Sequence, residues 1–264
     1  MDRGRYPWGR PSDDLLIGRI AGVRFVFLPR HGRGHRLPPS NLNNRANIDA
    51  MKRAGCTDLV AVSAVGSLRE DLAPGRFVLV DQYIDRTMGR ATSFFGPGLV
   101  AHVSMADPVC PRLSALAAGA AETAGAQVTR GGCYVAIEGP QFSTRAESRL
   151  YRAWGGDVIG MTGMPEARLA REAELPYASI CMVTDWDCWG DGEEEADVAS
   201  IVAQLHANAE TARRMIVALA GSLPRERAPS PIDTALDGAI LTAPEARDPA
   251  MVAKLDAICG RTLA

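Results

Sequence analysis

No stretch of this chain approaches the ~18 consecutive apolar residues that a bilayer-spanning helix requires, which excludes a helical membrane protein. The opening residues, MDRGRYPWGRPSDD, lack the apolar core of a secretory signal, so the cytoplasm is the expected location. An excess of charge is also missing: 29 Lys and Arg stand against 31 Asp and Glu, a formal net charge of -2. That balance excludes a broad basic surface for nucleic acid and an acidic disordered tail, but not a local pocket for a small anion. The six cysteines, Cys56, Cys110, Cys133, Cys181, Cys188 and Cys259, lack the paired spacing of a structural zinc site. Cys181, within SICMVTD, reads as a small buried hydrophobe, and the set as a whole reads as reduced thiols. No internal repeat is visible.

What is present is a chain of 264 residues, 47% of them hydrophobic. A chain of this length buries about three quarters of its unfolded surface, enough for one large α/β domain with or without a helical extension. Strands are expected at 23–28, 58–63, 76–82, 132–137, 157–160 and 177–184, where Val, Ile, Phe and Tyr concentrate. Helices are expected at 45–54 with Asn44 as a possible N-cap, at 111–123, 145–154 and 166–172, and over the long amphipathic stretch 194–220. Residues 84–110 show no clean period and read as a long irregular excursion. After 221 the composition changes to an exposed linker, GSLPRERAPSP, so 1–221 reads as the domain and 222–264 as a linker and C-terminal extension holding one short helix. The alternation of strands and helices implies an α/β single domain, a central mixed, mostly parallel sheet flanked by helices, with ligands beyond the carboxyl ends of strands.

Four clusters fall near such ends. PRHGRGH places Arg30, His31, Arg33 and His35 within six residues; it is either a solvated basic loop or a clamp for a tetrahedral oxyanion, which the arginine fork matches. SAVGS (63–67) follows a buried strand and is either a tight turn or a phosphate-binding strand end; it lacks the lysine and spacing of a Walker A loop. In IEGPQFSTRAES, Glu138 is placed either to clamp vicinal hydroxyls or to cap the next helix, and Phe142 either to stack on a planar base or to join the core. TDWDCW sets Asp185 and Asp187 two residues apart, on one side of an extended backbone. Two carboxylates in one dry pocket hold a proton more strongly, which suits a purine with its exocyclic amine and ring nitrogen. A metal pair needs more ligands than this loop supplies. Trp186 and Trp189 read as packing around the loop.

RHGRGH, NNRANIDAM, SAVGSLRE, DQYIDRT, IEGPQFSTRAES, GMTGMPEA and TDWDCW occur in this order over about residues 7–220. Together they resemble the S-methyl-5'-thioadenosine phosphorylase branch of the trimeric purine nucleoside phosphorylases. The resemblance implies cleavage of methylthioadenosine by inorganic phosphate, a co-substrate, with no metal or organic cofactor, and a homotrimer. It implies phosphate binding by Arg30, His31, Ser63, Ala64 and Thr162, and a ribose resting on Met161. Asp185 and Asp187 would read the adenine and assist its protonation. Phe142 and Ser143 would line the base site, His102 would reach a neighbouring subunit's 5'-thiomethyl group, and Val198 and Ile201 would wall that group. By the same comparison ribose recognition falls mainly around Met161, which weakens the reading of Glu138 as a ribose clamp. Family members start with a strand ending in GG[ST]G; no such segment stands here, so the first strand is expected to be missing. GMTGMPEA also resembles relatives acting on methylthioinosine, whereas Asp185 favours a 6-amino purine. The alternatives are a methylthioinosine or general purine nucleoside phosphorylase, a nucleoside hydrolase, or a catalytically silent purine-binding relative.

Overall fold

The first strands form a hairpin whose second strand matches the one expected at 23–28 and whose first the hydrophobic pattern does not announce. Leu16–Ile20 (β1) pairs antiparallel with Val23–Phe27 (β2). Ala21 and Gly22 take φ of 49° and 81°, the positive values of a two-residue turn whose twist suits the strands. The computed structural model describes residues 6–190 and 198–263.

Helix α1 (Asn44–Arg53) follows. Its cap is Asn43 rather than Asn44: Asn43 lies outside the helical region and its side chain accepts from the Ala46 N–H. Strand β3 (Leu59–Ser67) runs four residues beyond the expected 63. The stretch expected to be one strand at 76–82 is two, Phe77–Val80 (β4) and Gln82–Arg86 (β5). Asp81 marks the switch. Its carboxylate accepts from the Gly132 N–H at 3.1 Å, and the Asp81 and Gln82 N–H groups both point to the Gly132 carbonyl. The chain thus leaves one side of the sheet and joins the other. Next come α2 (Pro111–Thr123), β6 (Val128–Arg130), β7 (Cys133–Ile137), α3 (Arg145–Ala153), β8 (Val158–Gly160), α4 (Gly163–Glu172), β9 (Tyr177–Trp186) and α5 (Val198–Ser222). The expected start of α5 at 194, with its acidic residues, lies outside the described residues.

Among the described residues the main sheet has the order β5-β7-β8-β3-β9-β4-β6. Four neighbouring pairs are parallel; β3–β8 and β4–β9 are antiparallel. The sheet is therefore mixed and mostly parallel. On its β8 side, β3 pairs only at Gly66 and Ser67, and β1 and β2 pair with each other rather than with the main sheet.

Both faces of the sheet are covered. Along β9, Ile180 and Met182 pack on one side with Ala117, Ala121, Met215 and Leu219 of α2 and α5. Tyr177, Cys181 and Val183 point to the other side, with Ile48 of α1 and Leu169 and Ala170 of α4. Two covered faces explain why the strand reads as an unbroken apolar run. The C-terminal segment holds two short helices rather than one, α6 (Pro249–Lys254) and α7 (Asp256–Leu263). It is docked on the body: Leu236, Leu255, Ile258 and Cys259 are fully buried in the α1–α4 core. Among the described residues no helix is long and apolar enough to cross a membrane, and all six cysteines are free.

Candidate active site

Two polar groups lie along β3. The first surrounds Arg30, on the loop after β2. Arg30 Nε and Nη2 donate to Glu166 Oε2 and Oε1 at 2.7 and 2.8 Å, and Nη1 donates to Ser63 Oγ at 3.1 Å and Thr162 Oγ1 at 3.2 Å. Ser63 and Thr162, themselves 3.3 Å apart, come from a strand middle and from the residue just before α4. Burial works against the Arg30 charge, but the Glu166 carboxylate more than offsets it and raises the guanidinium pKa. Arg30 is thus a fixed cation with one edge toward two hydroxyls, an arrangement fit for a tetrahedral anion. His31 is half-buried; its Nδ1 lies 2.9 Å from the Leu37 carbonyl and its ring stacks on His35. Burial, then the neighbouring His35 and Arg30, push its pKa down. Ala64, next to Ser63, is exposed.

Arg33 takes no part in this clamp. It turns away to Asp13, which accepts from both its backbone N–H and its side chain. Exposure and a local carboxylate decide that outcome, which spacing alone leaves open.

The second group lies three residues along β3. The register slips between Val65 and Gly66, so that Gly66 pairs with Asp185. A Cβ on Gly66 would stand 3.1 Å from Ile159 Cγ2, 3.3 Å from Asp185 Oδ2 and 3.5 Å from Asp187 Cβ, so a larger residue here would press on Ile159 and Asp185. Thr184 Oγ1 donates to Asp185 Oδ1 at 2.6 Å. Burial nevertheless raises the Asp185 pKa. Burial also raises that of Asp187, with the Asp185 charge adding to it and the Ser148 hydroxyl opposing. Asp187 is buried and its Oδ2 has no hydrogen-bond partner among the described residues. An unpaired buried carboxylate oxygen is costly unless protonated or met by a ligand. At ~3.3 Å per strand residue, Ser63 and Gly66 are about 10 Å apart, room for a sugar ring with a group on each side.

The loop carrying Phe142 and Ser143 reaches the loop after β9. Cys188 Sγ donates to the Ser143 carbonyl at 3.2 Å, and the buried Ser143 Oγ has no partner among the described residues. Phe142 is 64% exposed, which removes the core reading. Glu138 does not cap α3, whose cap is Thr144 with Glu147; one of its carboxylate oxygens, Oε2, is taken up by the protein. Its carboxylate accepts from Arg90 Nε at 3.0 Å and the Met88 N–H at 2.7 Å. Arg90 Nη1 further donates to the carbonyls of Met161 and Met164 at 2.7 and 2.9 Å, and Nη2 to that of Glu138 at 2.7 Å. One buried arginine therefore ties the loop carrying Met161 to the loop leading to Phe142.

His102 lies elsewhere. It is exposed, its N–H donates to Ala239 O, and it lines a cavity of about 370 Å³ with Phe95, Val103, Met105, Arg168 and Glu172. No residue lining that cavity belongs to the Arg30 or Asp185 groups. Ile201 is half-buried on α5, and the side chain of Val198 lies outside the described residues. Trp189 packs as expected, its Nε1 donating to Ser67 O with Arg152 stacked on its ring. Trp186 is 39% exposed, because it is the last residue of β9 and faces outward. Sequence reading missed Arg90, Glu166 and Tyr177. The only signal was an arginine in an aperiodic stretch and a glutamate just after a Met–Pro pair. Among the described residues no group of three or more His, Cys, Asp or Glu could hold a metal ion.

Fold and site define a class, an α/β enzyme with a buried arginine–hydroxyl cluster and a pair of buried carboxylates beside one strand. The chain belongs to the phosphorylase superfamily, whose family model matches residues 2–220. It is 58% identical to the S-methyl-5'-thioadenosine phosphorylase of Cereibacter sphaeroides, over 97% of this chain and 89% of the relative. It is also 58% identical to that of Bradyrhizobium diazoefficiens, over 98% and 90%. A methylthioadenosine phosphorylase from an antarctic soil metagenomic library superposes with a TM-score of 0.92, at 46% identity, covering 96% of this chain and 90% of that one. The Schistosoma mansoni methylthioadenosine phosphorylase in complex with adenine superposes with a TM-score of 0.80 at 40% identity, covering 84% and 85%.

Proposed function

We propose that the protein cleaves S-methyl-5'-thioadenosine with inorganic phosphate, giving adenine and 5-methylthioribose 1-phosphate. The observation that supports this reading is that the Arg30–Ser63–Thr162 cluster gathers at Ser63 of β3 while Asp185 of β9 pairs with Gly66 of the same strand, about one sugar apart.

In this reading phosphate rests on Arg30, His31, Ser63, Ala64 and Thr162. The bond from the anomeric carbon to purine N9 lengthens, its electron pair moving into the base. Positive charge grows on the sugar, and the fixed phosphate opposes it from the other face. Asp185 carries a proton to the ring, so adenine departs neutral. Asp187 accepts from the exocyclic amine, Phe142 stacks on the base with Ser143 at its edge, and Met161 underlies the ribose. A phosphate oxygen then bonds to the anomeric carbon, with no covalent enzyme intermediate. Aimed electrostatics supply most of the rate effect, and no metal or organic cofactor takes part.

Val198 and Ile201 on α5 are assigned to the thiomethyl wall, and His102 to a neighbouring subunit's site in a homotrimer. The exposed apolar residues Met88, Val100 and Leu241 support that assembly, since Val100 also lines the His102 cavity. Residues 222–264 are read as an extension of the 1–221 domain, and the cytoplasm as the compartment.

The test is adenine release from methylthioadenosine with and without phosphate, set beside methylthioinosine, adenosine and inosine. Strict phosphate dependence with preference for methylthioadenosine is expected. Unchanged release without phosphate means a hydrolase; a large preference for the 6-oxo substrates overturns the adenine assignment. Light scattering at three times the 28.1 kDa chain mass is the expected result for the trimer.

A further inference from the structure

The Arg30 guanidinium sits on a turn-rich loop whose own backbone hydrogen bonds, such as Gly32 N–H to Pro29 O and His35 N–H to Gly32 O, do not reach the Arg30 side chain. Gly32 and Gly34 follow it with positive φ, and Arg33, His35 and Arg36 are exposed. Yet its side chain is 14% exposed and its plane is defined from behind by a residue 136 positions away. Both oxygens of Glu166 are used, in a fork-to-fork pairing with Nε and Nη2. A planar guanidinium gripped at two N–H groups has no rotation left, so the direction of Nη1, toward Ser63 and Thr162, follows from where Glu166 stands.

Glu166 is itself braced. The Tyr177 hydroxyl donates to Glu166 Oε1 at 2.9 Å, and Tyr177 is 1% exposed at the start of β9. Burial pushes the phenol pKa well above its ordinary value, so it remains a donor at any working pH. Strand β9 thus carries the brace for the anion end at its first residue and Asp185 near its last.

We propose that Glu166 and Tyr177 are positioning residues for phosphate: they orient Arg30, and Glu166 offsets its charge, so that the cradle takes the anion without reorganising. This rests on reading Arg30 as the phosphate residue. A purely structural pair would act on stability alone. A positioning pair acts through Arg30, and its effect must depend on Arg30 being there.

The experiment is a double-mutant cycle read in the phosphate dependence of methylthioadenosine cleavage. Glu166→Gln keeps the shape but places an amide N–H against a donating guanidinium. It is expected to raise the KM for phosphate roughly 10-fold or more, because misplacement on the ångström scale costs up to ~10²-fold. The KM for methylthioadenosine and kcat at saturating phosphate should stay within about threefold, the pattern of a lost binding contact. In an Arg30→Ala background the same Glu166→Gln change should leave the phosphate KM unchanged or lower it, since it then removes an unpaired carboxylate that repels the anion. Tyr177→Phe should raise the phosphate KM a few-fold, and it serves if Glu166→Gln does not fold. Glu166→Asp should restore part of the loss. A lowered melting temperature with the phosphate KM within about twofold in both Glu166→Gln and Tyr177→Phe would overturn the proposal. So would an equal rise in phosphate KM with Arg30 present or absent. Wild-type cleavage that ignores phosphate removes the parent reading instead, and this one with it.

Discussion

The two ends of the site differ in how their charges are met. At the Arg30 end the guanidinium fork, Glu166, Tyr177, Ser63 and Thr162 form a closed set of hydrogen bonds. At the Asp185–Asp187 end two carboxylates lie close together, burial raises both pKa values, and one buried oxygen lacks a partner among the described residues. In the proposed reaction the difference follows from what each end would handle. Phosphate arrives as a charged ion whose charge persists through the reaction, so a rigid, satisfied cation suits it. The purine changes its protonation as it leaves, so its end must hold a proton loosely enough to give it up.

That contrast is most easily broken at Asp185. Asp185→Ala is expected to lower kcat by ~10²–10⁴-fold, the usual contribution of a positioned acid, while near-native circular dichroism shows the fold is kept. Turnover close to wild type removes the proton-carrying role. Arg30→Ala comes next. Steady-state kinetics should show kcat/KM for phosphate falling ~10²–10³-fold. Unlike Asp185→Ala, it should also destabilise, because it leaves Glu166 buried without its cation; breaking such a pair costs about 3–5 kcal/mol. Phe142→Ala should raise the KM for methylthioadenosine about 10-fold, from the ~1–3 kcal/mol of a base–aromatic stack, with an unchanged melting temperature since the ring is exposed.

The smallest effect is one of stability. Asp187 has a raised pKa in the folded chain, so between the ordinary aspartate value and that raised value the folded state holds the extra proton. Ionisation therefore costs stability, absent below the unfolded value and complete above the folded one. Asp187→Asn removes the cost. At neutral pH it should raise the melting temperature by about 2–4 °C for each kcal/mol relieved, with the gain vanishing below about pH 4. A gain that persists at pH 3 would mean packing rather than charge is responsible. At the anion end the corresponding change, Glu166→Gln, should lower the melting temperature, which sharpens the contrast.

Much of this fold is legible along the chain because it depends on neighbours in sequence. Buried runs such as ASICMVT and FVLV read as strands because both faces of the sheet are covered. Helix α2 shows its Pro start and Gly125 stop. What stays hidden depends on partners far away. Val128–Arg130 is a strand only because β4 lies beside it. The break at Asp81 exists only because Gly132 comes to meet it. The same division runs through the site. Arg30, Ser63, Asp185 and Asp187 stand out as reactive types near turns and strand ends, whereas Thr162 enters only through the family resemblance. That Arg33 leaves for Asp13, that Glu138 serves Arg90, and that Glu166 grips Arg30 are choices among several partners that spacing cannot rank.

The order and chemistry of the motifs, then, are properties of the sequence by itself: a charged loop, a glycine-broken strand end and a paired-Asp loop along one α/β chain. Tertiary structure alone decided which charges face one another. An ion pair bridging 136 residues, and a register slip that sets Gly66 against Asp185, arise only when the loop after β2, β3, α4 and β9 come together, because electrostatic and hydrogen-bond energies depend on distance in space and not on distance along the chain.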